Sequence, residues 1–142
     1  MITVRHLLDR KGRAIYSVSP SDPVLTVIRL MADHHIGALL VMQGDALAGI
    51  VSERDYARKV ILLGRSADQT PVSQIMSSPV TTVAPADTVD QCMRIVTEHR
   101  IRHLPVVEND RVVGVISIGD LVKAVIEDQK HTIEQLESYI HS

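Results

Sequence analysis

SVSPSDPVLTVIRLMADHHIGALLVMQGDALAGIVSERDY, residues 17–56, lies without a gap on TVAPADTVDQCMRIVTEHRIRHLPVVENDRVVGVISIGDL, residues 82–121. Thirteen of the forty pairs are identical: Val18/Val83, Pro20/Pro85, Asp22/Asp87, Val24/Val89, Arg29/Arg94, His34/His99, Ile36/Ile101, Leu39/Leu104, Val41/Val106, Asp45/Asp110, Gly49/Gly114, Ser52/Ser117 and Asp55/Asp120. Many of the others exchange one aliphatic residue for another. Two copies of one supersecondary unit make neither a solenoid nor a propeller, so the expected solution is a pair whose apolar faces close on each other about a pseudo-twofold axis.

Each copy carries the same signals in the same order. Val24, Val27, Ile28 and Met31 follow the i, i+3, i+4, i+7 spacing of a buried helical stripe, and Val89, Cys92, Met93 and Val96 repeat it. Asp22 and Asp87 are the expected caps, with Pro23 at the first helical position. Short apolar runs follow, Gly37 to Met42 and Leu47 to Val51, then His103 to Val107 and Val112 to Ile116, each pair joined by turn chemistry and read as a β-hairpin. A second helix comes after each hairpin, from about Glu53 to Leu63 and from Gly119 into the tail. Val4–Leu8 and Val72–Met76 are expected as short lead-in strands, and Ile15–Ser19 and Val80–Ala84 as extended segments. The fold class is α/β (α+β), in strand-helix-strand-strand-helix repeats over residues 1–65 and 66–127, with a helical tail at 128–142.

Composition bounds the function. With 142 residues and 45% hydrophobic content the chain can bury one substantial core, whereas two independent cores of about 60 residues would each be marginal. A formal charge of -2 leaves no electrostatic footprint for nucleic acid or an anionic membrane. The apolar runs are too short to span a bilayer and Met1 to Asp9 lacks a signal-peptide core, so a cytoplasmic location is expected. Cys92 is the single cysteine, set on an apolar stripe, and reads as core. The seven histidines offer no helical i, i+4 metal pair, and no nucleophile elbow or Walker loop appears, so neither a metal site nor an enzyme is expected.

Both hairpins end in one formula: Gly49-Ile50-Val51-Ser52-Glu53-Arg54-Asp55 and Gly114-Val115-Ile116-Ser117-Ile118-Gly119-Asp120. Two readings fit it. Ser at a helix N-cap with an acid three residues on is a capping-box arrangement, worth about 1 kcal/mol. Equally, a carboxylate can accept from two vicinal hydroxyls while a hydroxyl and free N–H groups receive an anion. Gly49 and Gly114 permit close backbone approach or a strand bulge.

The duplicated Gly-x-x-Ser-x-x-Asp ending, the Val-x-Pro-x-Asp-x-Val opening and Ile101-Arg102-His103-Leu104-Pro105-Val106-Val107 together resemble two cystathionine β-synthase (CBS) domains in tandem, a Bateman module. Glu53 to Val60 with Gly64-Arg65-Ser66 is similar to a bacterial group in which that module is the whole protein. The resemblance implies adenine-nucleotide sensing, with AMP or NAD(H) as ligands ahead of ATP or S-adenosylmethionine, and no catalytic cofactor. By the same resemblance Asp55 and Asp120 bind ribose, and Ser52 and Ser117 lie next to ribose or phosphate. Ile36, Gly37 and Ala38, with Ile101, Arg102, His103, Leu104 and Pro105, line the base slot or reach phosphate. Tyr16, Ser17, Ser19, Thr81 and Thr82 contact adenine. Arg102 and His103 are expected to reach toward the nucleotide held by Asp55. Arg54 and Arg58 add charge there, and their other reading is an ordinary solvated helix face. The open Gly37-Ala38 start leaves room for a dinucleotide at one site beside AMP at the other.

In the tail, Val122, Ile126, Gln129, Ile133, Leu136 and Ile140 recur every three or four residues. Such a stripe either folds back on its own core or packs on a second subunit, and a homodimer in a flat four-repeat disc is expected. The function implied is a regulatory sensor acting on a partner protein that the sequence does not name. The alternative is a structural dimerisation subunit.

Overall fold

A computed structural model describes residues 1–141 of the chain. Its elements run α1 (Val4–Lys11), β1 (Ser17–Val18), α2 (Val24–His34), β2 (Ala38–Gln43), β3 (Ala46–Ser52), α3 (Glu53–Tyr56), α4 (Val89–His99), β4 (His103–Glu108), β5 (Arg111–Ser117) and α5 (Ile118–His141). No helix among the described residues is long and apolar enough to cross a membrane. The chain forms two compact units. One holds Ala14–Thr81 with the turn Asn109–Val112, and the other holds Met1–Arg13, Thr82–Glu108 and the chain from Val113 on.

In the first unit β1, β2 and β3 form a sheet in that order, β1 parallel to β2 and β2 antiparallel to β3. Gly44, at the hairpin turn, takes φ 63°, a left-handed conformation that glycine adopts without strain. Val24, Val27 and Met31 are buried as their spacing predicts, against Leu39, Val41 and Val51. In the second unit β4 and β5 pair, and Val89, Cys92 and Val96 of α4 are buried with Leu104, Val106 and Ile116. Cys92 is core, and burial, then the charge of Asp87, pushes its thiol up to about 11.

The lead-in segments correct one expectation. Val4–Lys11 is a helix, capped by Thr3 and His6 in a reciprocal box, and Val72–Gln74 is a 3-10 turn. Val4, Leu7 and Leu8 sit at i, i+3 and i+4, the spacing of a helical face, and all three are buried in the core of the second repeat. Val72 and Ile75, which lead into the second repeat, are buried in the core of the first. Each repeat is thus completed by the segment that precedes the other.

The repeated glycines make room for these segments. A Cβ on Gly114 would lie 2.6 Å from Leu8 Cδ2, and one on Gly49 would lie 2.6 Å from Met76 Sδ. Leu8 and Met76 are the last residues of the two matched lead-ins. Gly49 also flanks an irregularity, since Val41 pairs with Gly49 and Met42 with Leu47, leaving Ala48 as the extra residue.

The helix caps are corrected too. Asp22 and Asp87 lie one residue too early to cap: Asp22 Oδ2 accepts from Ser19 N and Asp87 Oδ2 from Ala84 N, each at 2.8 Å, closing the turn ahead of the helix. Pro23 is the N-cap of α2 with no side-chain bond, and Thr88 caps α4 in a box with Gln91. The helix expected over Glu53 to Leu63 is α3 followed by a π-helical turn, Ala57–Ile61. The helix expected from Gly119 into the tail is α5, which runs unbroken over Ile118–His141.

Overpacking fixes the first prediction. Gly114→Ala should destabilise the protein by about 1–3 kcal/mol in urea unfolding. Leu8→Ala in the same chain should recover part of that loss, so the double-mutant cycle should show coupling between the two sites.

Candidate functional site

Ser52 and Ser117 arrive where a strand runs directly into a helix, so their side chains face the unpaired N–H groups of the first turn. At the first, Asp55 N donates to Ser52 Oγ (3.3 Å), while Asp55 Oδ2 accepts from Ser52 N (2.9 Å) and Ser52 Oγ (3.1 Å). At the second, Asp120 N donates to Ser117 Oγ (3.2 Å), and Asp120 Oδ2 accepts from Ser117 N (2.8 Å). The capping box is therefore formed at both copies, and each carboxylate is held rigidly at a helix start.

Each carboxylate also has a lysine that sequence reasoning missed. Lys59 Nζ stands 3.2 Å from Asp55 Oδ1 and donates to Ile75 O at 2.9 Å. This partner was legible, since residues four apart meet on a helical surface. Lys11 Nζ donates to Asp120 Oδ2 at 2.6 Å and to Val115 O at 2.8 Å. It comes from the end of α1, more than a hundred residues away, and nothing local to Asp120 signals it.

The two sites differ in what is left open. Both oxygens of Asp55 are engaged and its side chain is 15% exposed, whereas Asp120 is 26% exposed and only its Oδ2 has partners among the described residues. Burial raises the Asp120 carboxyl, but the Lys11 and Ser117 hydrogen bonds outweigh it and hold the group below the ordinary value of 3.8.

Strand starts sit beside these carboxylates in the same way in each unit. Gly37 O accepts from Glu53 N at 3.1 Å and Ala38 pairs with Ser52. Arg102 O accepts from Ile118 N at 2.8 Å. His103 is half-buried at the start of β4, where burial and the charge of Lys11 lower its imidazole, Asp120 raises it, and Arg102 lowers it further. The balance lowers the His103 imidazole from its ordinary value of 6.5, so burial there disfavours the charged form.

The remaining expected positions divide by burial. Tyr16 stacks on His34 with ring centroids 3.9 Å apart, and its carbonyl accepts from Leu40 N at 3.3 Å. Ser17 pairs with Leu40 in β1 and is exposed. Ser19 N is used by Asp22. The unit boundary falls between Thr81, half-buried, and Thr82, exposed. Ile36 and Ile101 are half-buried, their N–H groups closing α2 and α4 onto Met31 O and Val96 O. Leu104 and Pro105 are both buried: Leu104 lies in the core and Pro105 O accepts from Val83 N. Arg54 and Arg58 are exposed and form no ion pair among the described residues, as a solvated face requires.

Comparison with known proteins places this geometry. The CBS domain profile matches residues 4–62 and 72–127. A solved protein with CBS domains from Burkholderia ambifaria, provisionally assigned to signal transduction, is 53% identical over 89% of this chain and 96% of its own, with a TM-score of 0.86. A mitochondrial CBS domain-containing protein of Arabidopsis thaliana is 36% identical over 97% of this chain and 71% of its own length. A CBS domain protein from Pyrobaculum aerophilum, solved in complex with AMP, is 29% identical over 84% of this chain and 89% of its own, with a TM-score of 0.75.

The lysine at Asp120 gives the second prediction. Lys11→Met should raise the Asp120 carboxyl pKa, followed by NMR titration of the side-chain carboxyl. The sign follows from linkage: a depressed carboxyl stabilises the fold above 3.8 and loses that contribution as pH falls through its folded value. Removing Lys11 should shrink the acid-range loss, by no more than about 1 kcal/mol at this half-exposed pair.

Proposed function

We propose that this chain, which belongs to the CBS-domain family, is a regulatory module that binds adenine nucleotides and passes their occupancy to a partner protein. The observation that carries this reading is the pair of rigidly capped carboxylates, Asp55 and Asp120, each at a strand-to-helix junction beside a lysine. A fixed carboxylate is suited to accept from two vicinal ribose hydroxyls, and the nearby cation to meet phosphate. AMP in the Pyrobaculum aerophilum relative supports an AMP-like ligand. NAD(H) fits the same ribose chemistry and remains the second candidate, ahead of ATP or S-adenosylmethionine. The open Oδ1 makes Asp120 the readier of the two to take a ribose. Switching in such a module comes from different nucleotide affinities for two arrangements of the chain.

One observation favours the rival reading, a structural dimerisation subunit. The capping boxes give both Ser-Asp pairs a purpose without any ligand.

Calorimetric titration with AMP separates the two. Asp120→Ala should weaken one site about a hundredfold, the expected loss of roughly 3 kcal/mol for two hydrogen bonds to a charged acceptor. Asp55→Ala should weaken the other site, and both variants should keep a cooperative thermal transition after losing about 1 kcal/mol of capping. Unchanged AMP affinity in both variants, or no binding of AMP, NAD(H), ATP or S-adenosylmethionine by the unaltered protein, would return the carboxylates to capping alone.

A further inference from the structure

The last part of α5 leaves the body of its unit. Leu121 and Ala124 are buried in the core, and Arg10 pairs with Glu127 at 2.6 Å. From Ile126 to Ile140 every residue is exposed, including Ile126 (57%), Ile133 (55%), Leu136 (57%) and Ile140 (74%). Short helices gain most of their stability from burying an apolar face, and the face carrying Ile126, Ile133, Leu136 and Ile140 is exposed in the single chain.

The spacing of that face names the partner. Val122, Ile126, Gln129, Ile133, Leu136 and Ile140 are separated by four, three, four, three and four residues, a strict heptad seam. Ile126, Ile133 and Ile140 fall at a, where β-branched residues favour two strands, and Val122, Gln129 and Leu136 fall at d. We infer that α5 pairs with α5 of a second copy of this chain in a parallel, in-register two-stranded coiled coil. This deepens the homodimer expected from the sequence and is independent of the nucleotide reading.

Three features select this arrangement. Gln129 places a polar amide in the seam, and a parallel copy sets an identical amide at the same level to hydrogen-bond with it. An unrelated apolar groove would leave that amide unpaired. The acids Glu127, Asp128 and Glu134 all fall at b and c, away from the seam. Across a parallel pair the flanking contacts are Val125 with Lys130 and Thr132 with Glu137, none of them like-charged. The antiparallel pairing that sets Ile126 opposite Leu136 brings the two copies of Lys130 together.

The test uses the full chain, in which the native Cys92 is buried. Leu136→Cys should give a disulfide-linked dimer on mild oxidation. In the antiparallel pairing the two cysteines would be roughly 15 Å apart along the axis, beyond the Cα separation of about 7 Å that a disulfide tolerates. Ile133→Asp, on an exposed position that the fold does not need, should raise the dimer dissociation constant in sedimentation equilibrium at least tenfold. Truncation after Glu127 should do the same while leaving the circular dichroism of the remaining fold intact. A dimer that resists Ile133→Asp and does not cross-link through position 136 overturns the coil and leaves a dimer built elsewhere. An unaltered chain that is monomeric at tens of micromolar overturns both. Neither result bears on AMP affinity, which is measured separately.

Discussion

Everything at the two carboxylates depends on a bulky side chain lying where a strand has no Cβ. Leu8 fills the space over Gly114, and Met76 fills the space over Gly49. The contact fixes the path of β3 and β5 three residues before each Ser, so it fixes where each strand gives way to a helix. It also ties the core of the second repeat to a distant part of the chain, since Leu8 precedes Gly114 by more than a hundred residues. Interiors packed at crystal-like density do not absorb an added methyl without displacing a neighbour. Glycine at both positions is therefore explained by packing, and it need not be charged to a ligand or to backbone conformation.

With the junction fixed, the Ser and Asp side chains cap the helices, and capping leaves part of the carboxylates' acceptor capacity over. The cap uses one carboxylate oxygen and the serine hydroxyl. At Asp120 that leaves Oδ1 for a further donor, while at Asp55 Lys59 has already taken the second oxygen. The same four-residue formula thus leaves two carboxylates with different acceptor oxygens engaged. The difference arises from which lysine arrives and which oxygen it meets. Capping and ligand binding are compatible at one carboxylate because an ionised carboxylate has about four acceptor positions.

Much of this was legible in the sequence, and the failures have physical causes. The helical stripes of α2 and α4 were readable because eleven residues give the 3.6 period time to show. At Val4–Leu8 the i, i+3, i+4 spacing was present too, but five residues also accommodate a strand, and the deciding signal was the Thr3 cap outside the window. Thr88 with Gln91 is a capping pair that the sequence displays openly, yet the identical Asp22 and Asp87 drew the assignment one residue early. Leu104 lies in a motif whose resemblance suggests ligand contact, yet it alternates with Val106 along β4 and both lie in the core, while Pro105 between them is buried as well. Lys11 could not be read at all, because contact with Asp120 requires the crossing of α1 into the other repeat's core.

That crossing has a consequence for how occupancy could be felt beyond the site. Lys11 is the last residue of α1, just before Gly12 takes φ 98°, and the rest of α1 is anchored by Val4, Leu7 and Leu8 in the core. A ligand accepted by Asp120 meets a lysine already in place, held also by Val115 O. It must share the carboxylate with that cation or release it. Sharing favours ligands carrying phosphate, since the ammonium then faces two anions; release favours neutral diols and frees the end of α1. By reciprocity, any partner that grips α1 and withdraws Lys11 changes the affinity of the Asp120 site by the same factor that the ligand changes the partner's. Were a ligand to bind at Asp120, Lys11 would link its charge to the position of the first helix.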